Sequence, residues 1–499
     1  MKTAYLSVWS KKGIAELAYG LHAAGYELLA SGSTAKIIAQ AELEVNEGLD
    51  EPPRPEQIVR TLEAAPDCAR ELEDAGIPRP DVVVCNFYPV AEMTAQEGFS
   101  IEELAQYMDI WNNAVLRAAA RAWETTAVLC DFSDYAITLA AIAEFNEIPP
   151  RRRRQLAVKA LMRCAYYDAT AAQFLAERRG DMLGDELVLA LKQQAALAYG
   201  ENPQQQAALY DISGARPWGV SQSRIIHGRP LSFNHYLDLD CAWETACEFT
   251  GAACVIVKHG APCGAACAHN TAEAFRLAFD TDRQGAPGGT AVFNRRLTEK
   301  AAQLLDGEVF ELIAAPDFED GALDILRSRR RNRLALIPSM LASAGETEMR
   351  SISGGVLVQE KDPGAQAGFE PASRRHPGPG EEISLRFAMN VAKHARSYAA
   401  VIAQGVKTVA IASGHPSRRE SVKIALLKAR EKHPIVDAAS PLVLACDTAL
   451  PPDCVKQAAK AGIGAIIQPG GAPDDADCAA VADSANIAMA FTGKRYLRH

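Results

Sequence analysis

The chain has 499 residues, 48% hydrophobic and 23% charged, enough for a large buried core and more than one domain. Its formal net charge of -10 argues against a general surface for nucleic acid or anionic membrane. The opening Met1-Lys2-Thr3-Ala4-Tyr5-Leu6-Ser7-Val8 lacks the apolar core of a signal peptide, and no apolar stretch is long enough to span a bilayer.

Residues 3–8, 26–30, 81–86 and 127–130 are short apolar runs separated by helical periodicity, as at 13–24, where Ile14, Leu17, Ala18 and Leu21 share one face. This alternation predicts a parallel sheet covered by helices over residues 1–148. Ser31-Gly32-Ser33-Thr34 stands between a strand and a helix expected from Ala35. Its N–H groups and hydroxyls suit a phosphate at a helix N-terminus, and suit an ordinary cap and tight turn more often. Cys85-Asn86-Phe87-Tyr88-Pro89 ends another strand. Asn86 and Tyr88 therefore fall where open α/β sheets carry ligands, or simply terminate the strand over a packed ring.

Residues 149–196 predict a helical connector, with Leu156, Ala160, Leu161 and Tyr167 at helical spacing. The runs Arg151 to Arg154 and Arg329 to Arg331 read as solvated helix starts. Residues 197–499 read as a larger α/β unit, with strands expected at 255–257, 291–293, 312–315, 355–358, 409–412, 442–445 and 465–467. A stretch rich in Pro, Gly and charge at 361–382 reads as a surface linker dividing that unit into 197–360 and 383–499. No internal sequence repeat stands out. Twelve scattered cysteines without a Cys-x-x-Cys pair argue against structural zinc and suit a reducing cytoplasm.

Within the second unit, an apolar run ends abruptly in Lys258-His259, followed by Gly260-Ala261-Pro262-Cys263-Gly264. A Lys and a His past a strand end can transfer protons near neutral pH. Taken alone, the pair reads more often as a solvated Lys and a His bonded to a carbonyl. Tyr199-Gly200-Glu201-Asn202-Pro203 is dense in polar and turn residues, and Pro469-Gly470-Gly471 offers backbone donors after a strand. The end of the chain, Phe491 to His499, is aromatic and basic, which predicts that it docks around an anion rather than fraying.

Together these segments resemble, in order and over nearly the full length, the bifunctional purine biosynthesis family that formylates aminoimidazole carboxamide ribotide and closes the ring to inosine monophosphate. The resemblance rests on Ser7-Val8 with Lys11 and Gly13, Leu29 to Lys36, Cys85 to Pro89, Arg117 to Arg121, Tyr166-Tyr167-Asp168, Tyr199 to Pro203 and Leu231 to Leu239. It continues in Lys258 to Gly264, Gly354 to Gln359, Lys393 to Ser397, Gln468 to Gly471 and Phe491 to His499.

The resemblance implies an α/β protein. A methylglyoxal-synthase-like cyclohydrolase domain is followed by the connector and a cytidine-deaminase-like transformylase unit of two subdomains without a catalytic metal. It also implies a cytoplasmic homodimer that uses 10-formyltetrahydrofolate as co-substrate. In the transformylase, His259 takes a proton from the substrate's 5-amino group. Lys258 stabilises charge on the formyl oxygen or protonates the departing folate nitrogen. Arg418 and Arg495 match arginines near the phosphate and carboxamide, Tyr199 and Asn234 match substrate-side positions, and Asp447 matches a polar residue near the folate end. The cyclohydrolase candidates are Lys11, Ser31, Thr34, Arg60, Asn86, Tyr88 and Asp109.

The chain departs from the family's pattern in both halves. Ala198 replaces an Arg, Gln204 a His, Gly260-Ala261 a Thr-Asn pair, Tyr398 an Asn, and Ala449-Leu450 an aromatic pair. In the first domain Trp9 and Ser10 replace Ser and Asp, Trp111-Asn112 replace two glycines, and Arg60 stands for a Lys, which is not an equivalent proton donor. The expectation is formyl transfer with cyclohydrolase activity weakened or lost. Two alternatives stay open: an inactive paralogue that binds a nucleotide or partner, and a formyltransferase with an altered donor or ribotide.

Overall fold

The computed structural model describes residues 2–47, 49, 51–63, 77–179, 183–214, 219–329, 332–338, 347–362, 368–432 and 441–499. The chain divides into two units: one of residues 1–192, 211–216 and 347–360, the other of 193–210, 217–346 and 361–499.

In the first unit the four apolar runs become β1 (Lys2–Val8), β2 (Tyr26–Ala30), β3 (Val82–Asn86) and β4 (Ala127–Leu129). They pair in the order β2-β1-β3-β4, every neighbour parallel. Strands buried on both faces read as continuous apolar runs. Here Ala4 and Leu6 face α1 (Ile14–Ala23) and α2 (Gly32–Gln40), while Tyr5, Val83 and Cys85 pack on the other side. That second face is covered by α3 (Pro55–Glu63), α4 (Val90–Thr94), α5 (Ile101–Tyr107), α6 (Ile110–Arg121) and α8 (Pro150–Arg179), with α7 (Tyr135–Phe145) beside α1. The Ser100 hydroxyl and the Glu103 carboxylate form a capping box that starts α5.

Three expectations need correction. Helix α2 starts at Gly32, not Ala35, with Ser31 at its cap position. The connector is not helical throughout: α8 ends at Arg179, and residues 191–197 form β5 (Leu191–Leu197), paired with β6 (Ala207–Ile212). Residues 355–358 are a strand, but they belong to the first unit. There β14 (Gly355–Glu360) pairs antiparallel with β13 (Thr347–Ile352), so the expected 197–360 boundary falls earlier.

The second unit is built on a twelve-stranded sheet. Its first half runs β7 (Arg224–His227), α9 (Phe233–Cys247), β8 (Ala252–Lys258), β9 (Ala261–Ala268), α10 (Thr271–Asp280), β10 (Thr290–Phe293), α11 (Glu299–Asp306), β11 (Leu312–Ala315), α12 (Asp320–Arg327) and β12 (Arg333–Leu336). Its second half runs β15 (Glu370–Pro371), α13 (Pro379–His394), β16 (Ala400–Gln404), β17 (Lys407–Ala412), α14 (Arg418–Lys432), β18 (Leu442–Cys446), α15 (Pro452–Lys460), β19 (Ile463–Gln468), α16 (Asp475–Ser484) and β20 (Ala488–Phe491).

The spatial order is β15-β20-β19-β18-β16-β17-β9-β8-β10-β11-β12-β7, so each half repeats the other's topology outward from the central β17–β9 pair. The sequence shows no such repeat because only the pattern of elements is shared. The halves also share one core: Val255 and Val292 from one and Val401 and Val443 from the other bury against α9 and α13. On the opposite face each half has its own core, around Phe275 and Phe293 in one and around Val422 and Leu444 in the other. Part of the expected linker at 361–382 is ordered structure, since β15 closes the sheet edge against β20 and α13 begins at Pro379.

Candidate functional site

Strand β8 is antiparallel to both of its neighbours, so Lys258 and His259 do not stand at the mouth of a parallel sheet. They stand at a hairpin turn. His259 and Gly260 both have positive φ, 55° and 68°, the signature of a two-residue type I′ turn. His is tolerated there better than most side chains, and Gly260 carries no penalty.

Beneath the turn lies Asp238, on α9, whose carboxylate accepts a 2.6 Å hydrogen bond from the Gly260 N–H. Burial pushes the Asp238 carboxyl up, and the Gly260 N–H and the His259 imidazole offset this only in part. The imidazole of His259 is exposed. The Lys258 ammonium donates to the carbonyls of Gly285 (3.1 Å) and Pro287 (2.7 Å) and lines a cavity of about 210 Å³ with Cys263, Asp282, Ser413, His415 and Lys428.

The segment 396–399 links this turn to the remaining candidates. A Cβ on Gly260 would lie 3.5 Å from Nη2 of Arg396, so that guanidinium reaches the turn. The Ser397 N–H donates to the Arg498 carbonyl (3.0 Å), which brings in the end of the chain. The Ala399 N–H donates to Asp447 Oδ1 at 2.8 Å. Asp447 is fully buried, and burial pushes its carboxyl up to about 6. Arg418 donates to the carbonyl of Ala449, two residues past Asp447. Arg495 is exposed next to the buried Tyr496, whose N–H meets the Asp447 carbonyl at 3.5 Å. On the other side, Asn234 Nδ2 donates to the Glu201 carbonyl (3.2 Å), bringing the Tyr199 loop to the first turn of α9, one turn before Asp238.

Asp447 Oδ2, Thr448 Oγ1 and Gln468 Nε2 are buried without a hydrogen-bond partner in the protein. They cluster at the ends of the neighbouring parallel strands β18 and β19. Buried polar atoms are rarely left unpaired unless water or a ligand meets them. One donor of the Pro469-Gly470-Gly471 turn is already taken: the Gly471 N–H, like that of Ala472 after it, is bonded to Asp475 Oδ2, at 2.7 and 3.1 Å.

In the first unit the candidates fall into two groups at the strand ends. Thr34 Oγ1 bonds to the backbone of Val8 and to Lys11 (3.0 Å), and Ser31 Oγ lies 3.5 Å from the Tyr5 hydroxyl. Burial lowers the Lys11 ammonium. In the other group, Asn86 Oδ1 accepts from the Trp9 and Ser10 N–H groups, and Asp109 caps α6 through the Asn112 N–H. Tyr88 packs between Trp9 (5.9 Å) and Tyr107 (5.6 Å). A cavity of about 380 Å³ takes in Asn86 and Tyr88 together with Trp9, Lys12, Phe132 and Arg163, but not Lys11, Ser31, Thr34 or Asp109. Arg60 is exposed on α3 and outside that cavity. Among the described residues, no group of three or more His, Cys, Asp or Glu is arranged to hold a metal ion.

The AICARFT/IMPCHase bienzyme family model matches residues 119–428, and the MGS-like domain model matches residues 13–111. The bifunctional purine biosynthesis protein PurH of Persephonella marina is 35% identical, covering all of both chains. That of Chloroflexus aurantiacus is 37% identical over 99% of this chain and 98% of its own. The chain belongs to the AICARFT/IMPCHase bienzyme family. It is therefore an enzyme of purine biosynthesis with an N-terminal MGS-like domain.

Within this bienzyme, sequence reasoning missed Asp238 and Arg396 as neighbours of the Lys-His turn. Asp238 did leave a trace, lying four residues after Asn234 and so on the same face of a helix. Arg396 lies in the resembling stretch Lys393 to Ser397, but its place beside Gly260, 136 residues away in the chain, left no mark.

Proposed function

We propose that the second unit transfers the formyl group of 10-formyltetrahydrofolate to the 5-amino group of aminoimidazole carboxamide ribotide. The observation that carries this reading is the Lys258-His259 turn, held from below by Asp238 and flanked by Arg396. A C–N bond forms between the amine and the formyl carbon, and the bond from that carbon to the folate nitrogen breaks. His259 takes the proton lost by the amine. Lys258 stabilises the formyl oxygen or returns a proton to the folate nitrogen. The unpaired polar atoms around Asp447 support a polar ligand at the ends of β18 and β19. Arg418 and Arg495 supply positive charge for a phosphate, and Tyr199 and Asn234 complete the ribotide side. The test is release of tetrahydrofolate from the two substrates, with His259→Ala inactive. Absence of turnover in the unmodified protein sinks the proposal, and ribotide binding without turnover favours an inactive, nucleotide-binding paralogue.

Cyclohydrolase activity is weakened in this reading. Trp9 packs on Tyr88, Arg60 points from an exposed helix position, and the Asp109 carboxylate is occupied as a helix cap. Rapid formation of inosine monophosphate from the formylated ribotide would contradict it.

The working form is a cytoplasmic homodimer. Two-stranded sheets standing alone are marginal in water. Strands β13 and β14 expose Met349, Ile352, Val356 and Leu357, and β5 and β6 expose Leu191, Tyr210 and Ile212, apolar surface suited to burial against a second copy. Among the described residues, no helix is long and apolar enough to cross a membrane.

A further inference from the structure

The charged cluster on the α9–α13 face has no part in the chemistry above. Glu244, on α9, accepts from Arg498 Nη1 at 2.9 Å and pairs with Lys361 at 2.8 Å. His394, at the end of α13, lies between two acids: Nδ1 is 3.8 Å from Glu244, and Nε2 is 2.9 Å from Glu248. Lys393 pairs with Glu248 at 2.6 Å, and Asp240 lies 4.0 Å from Arg498. Burial opposes ionisation of Glu244, but His394, Arg498 and Lys361 together hold its carboxyl well below the usual range.

The cluster anchors the last residues of the chain. Upstream the segment is held by backbone bonds from the Thr492 N–H to the Gln468 carbonyl (2.9 Å) and from the Gly493 N–H to the Pro469 carbonyl (3.0 Å), by the Thr492 hydroxyl, which donates to the Lys494 carbonyl (2.6 Å), and by Tyr496 in the shared core. Downstream it is held by the Arg498 carbonyl on Ser397 and by the Arg498 guanidinium on Glu244. Arg495 sits between these two anchorages, exposed, with Tyr496 buried beside it. A guanidinium whose backbone is fixed in advance binds a phosphate without the cost of ordering that backbone.

We propose that Glu244, by clasping Arg498, is a positioning residue that fixes the C-terminal segment and so presents Arg495 to the anionic end of the ribotide. This rests on the formyl-transfer reading, in which Arg495 serves the ribotide. Glu244 touches no reacting atom. Its loss therefore acts on substrate affinity, not on the chemical step.

The experiment compares full-length protein with Glu244→Gln and with Arg498→Met by steady-state tetrahydrofolate release and by carboxypeptidase Y digestion followed by mass spectrometry. The expected result is a KM for the ribotide raised on the order of 10-fold with kcat within about 2-fold, together with faster trimming of the C-terminal residues. The double variant should be no worse than Glu244→Gln alone, because that variant already breaks the contact with Arg498. Unchanged ribotide KM in variants that trim faster overturns the proposal, as does unchanged trimming. A fall in kcat and Tm at constant KM shows a merely structural role and overturns it too. If Glu244→Gln does not fold, Arg498→Met carries the same readings from the surface side of the pair. No turnover in the unmodified enzyme instead defeats the formyl-transfer reading, which separates the two failures.

Discussion

The carboxylate of Asp238 accepts the Gly260 N–H at 2.6 Å and so ties helix α9 to the turn that carries His259. A half-buried acid that holds the backbone of the turn fixes where the exposed His259 imidazole is presented. Asp238→Ala removes both the acceptor and the charge, and should lower kcat/KM for formyl transfer on the order of 100-fold. Asp238→Asn keeps an acceptor for Gly260 and should cost less, on the order of 10-fold. Equal losses in the two variants would show that the charge, not the hydrogen bond to Gly260, carries the effect.

Gly260→Ala tests the turn itself. A left-handed conformation costs an L side chain about 1–2 kcal/mol, and the added methyl meets the Arg396 guanidinium at 3.5 Å. A fall in Tm of a few degrees by calorimetry is expected, with activity reduced more than stability, because both His259 and Arg396 border the turn.

Asp447 makes stability depend on pH. Burial pushes its carboxyl up to about 6, above an ordinary value near 4. Between those values the folded protein keeps a proton that the unfolded chain has lost. Stability therefore falls as pH rises through this window, and the full penalty stands above it. Asp447→Asn keeps an oxygen for the Ala399 N–H and carries no charge. It should raise stability at pH 7.5 by up to about 3 kcal/mol and change it little at pH 4. A gain in Tm of the same size at both pH values would refute this assignment.

Trp9→Ser addresses the first unit. The indole lies 5.9 Å from the Tyr88 ring and lines the same cavity. If it obstructs ring closure, its removal should increase formation of inosine monophosphate from the formylated ribotide, followed by absorbance. A correctly folded variant with no increase would place the block elsewhere, at Arg60 or Asp109.

The four parallel strands of the first unit and half of the twelve in the second unit's sheet were legible because buried parallel or central strands must be apolar throughout, as in Val82–Asn86 and Ala252–Lys258. The Lys258-His259 pair was legible for the opposite reason, as a cation and an imidazole interrupting such a run. The hairpin character of that turn was not. A strand followed by Gly and Pro looks alike whether the next strand is parallel or antiparallel, and only the pairing of β8 with β9 decides.

By itself the sequence determined the order of elements, the family resemblance and which residue types were available for chemistry, because periodicity and motifs are local properties of the chain. Only the tertiary structure decided the repeated topology of the second unit, the core its halves share on α9 and α13, and the contacts that put Asp238 and Arg396 beside His259 and Glu244 under Arg498. Those contacts join residues far apart in the chain. Their cause is burial and pairing across the sheet, which leaves no mark at any single position.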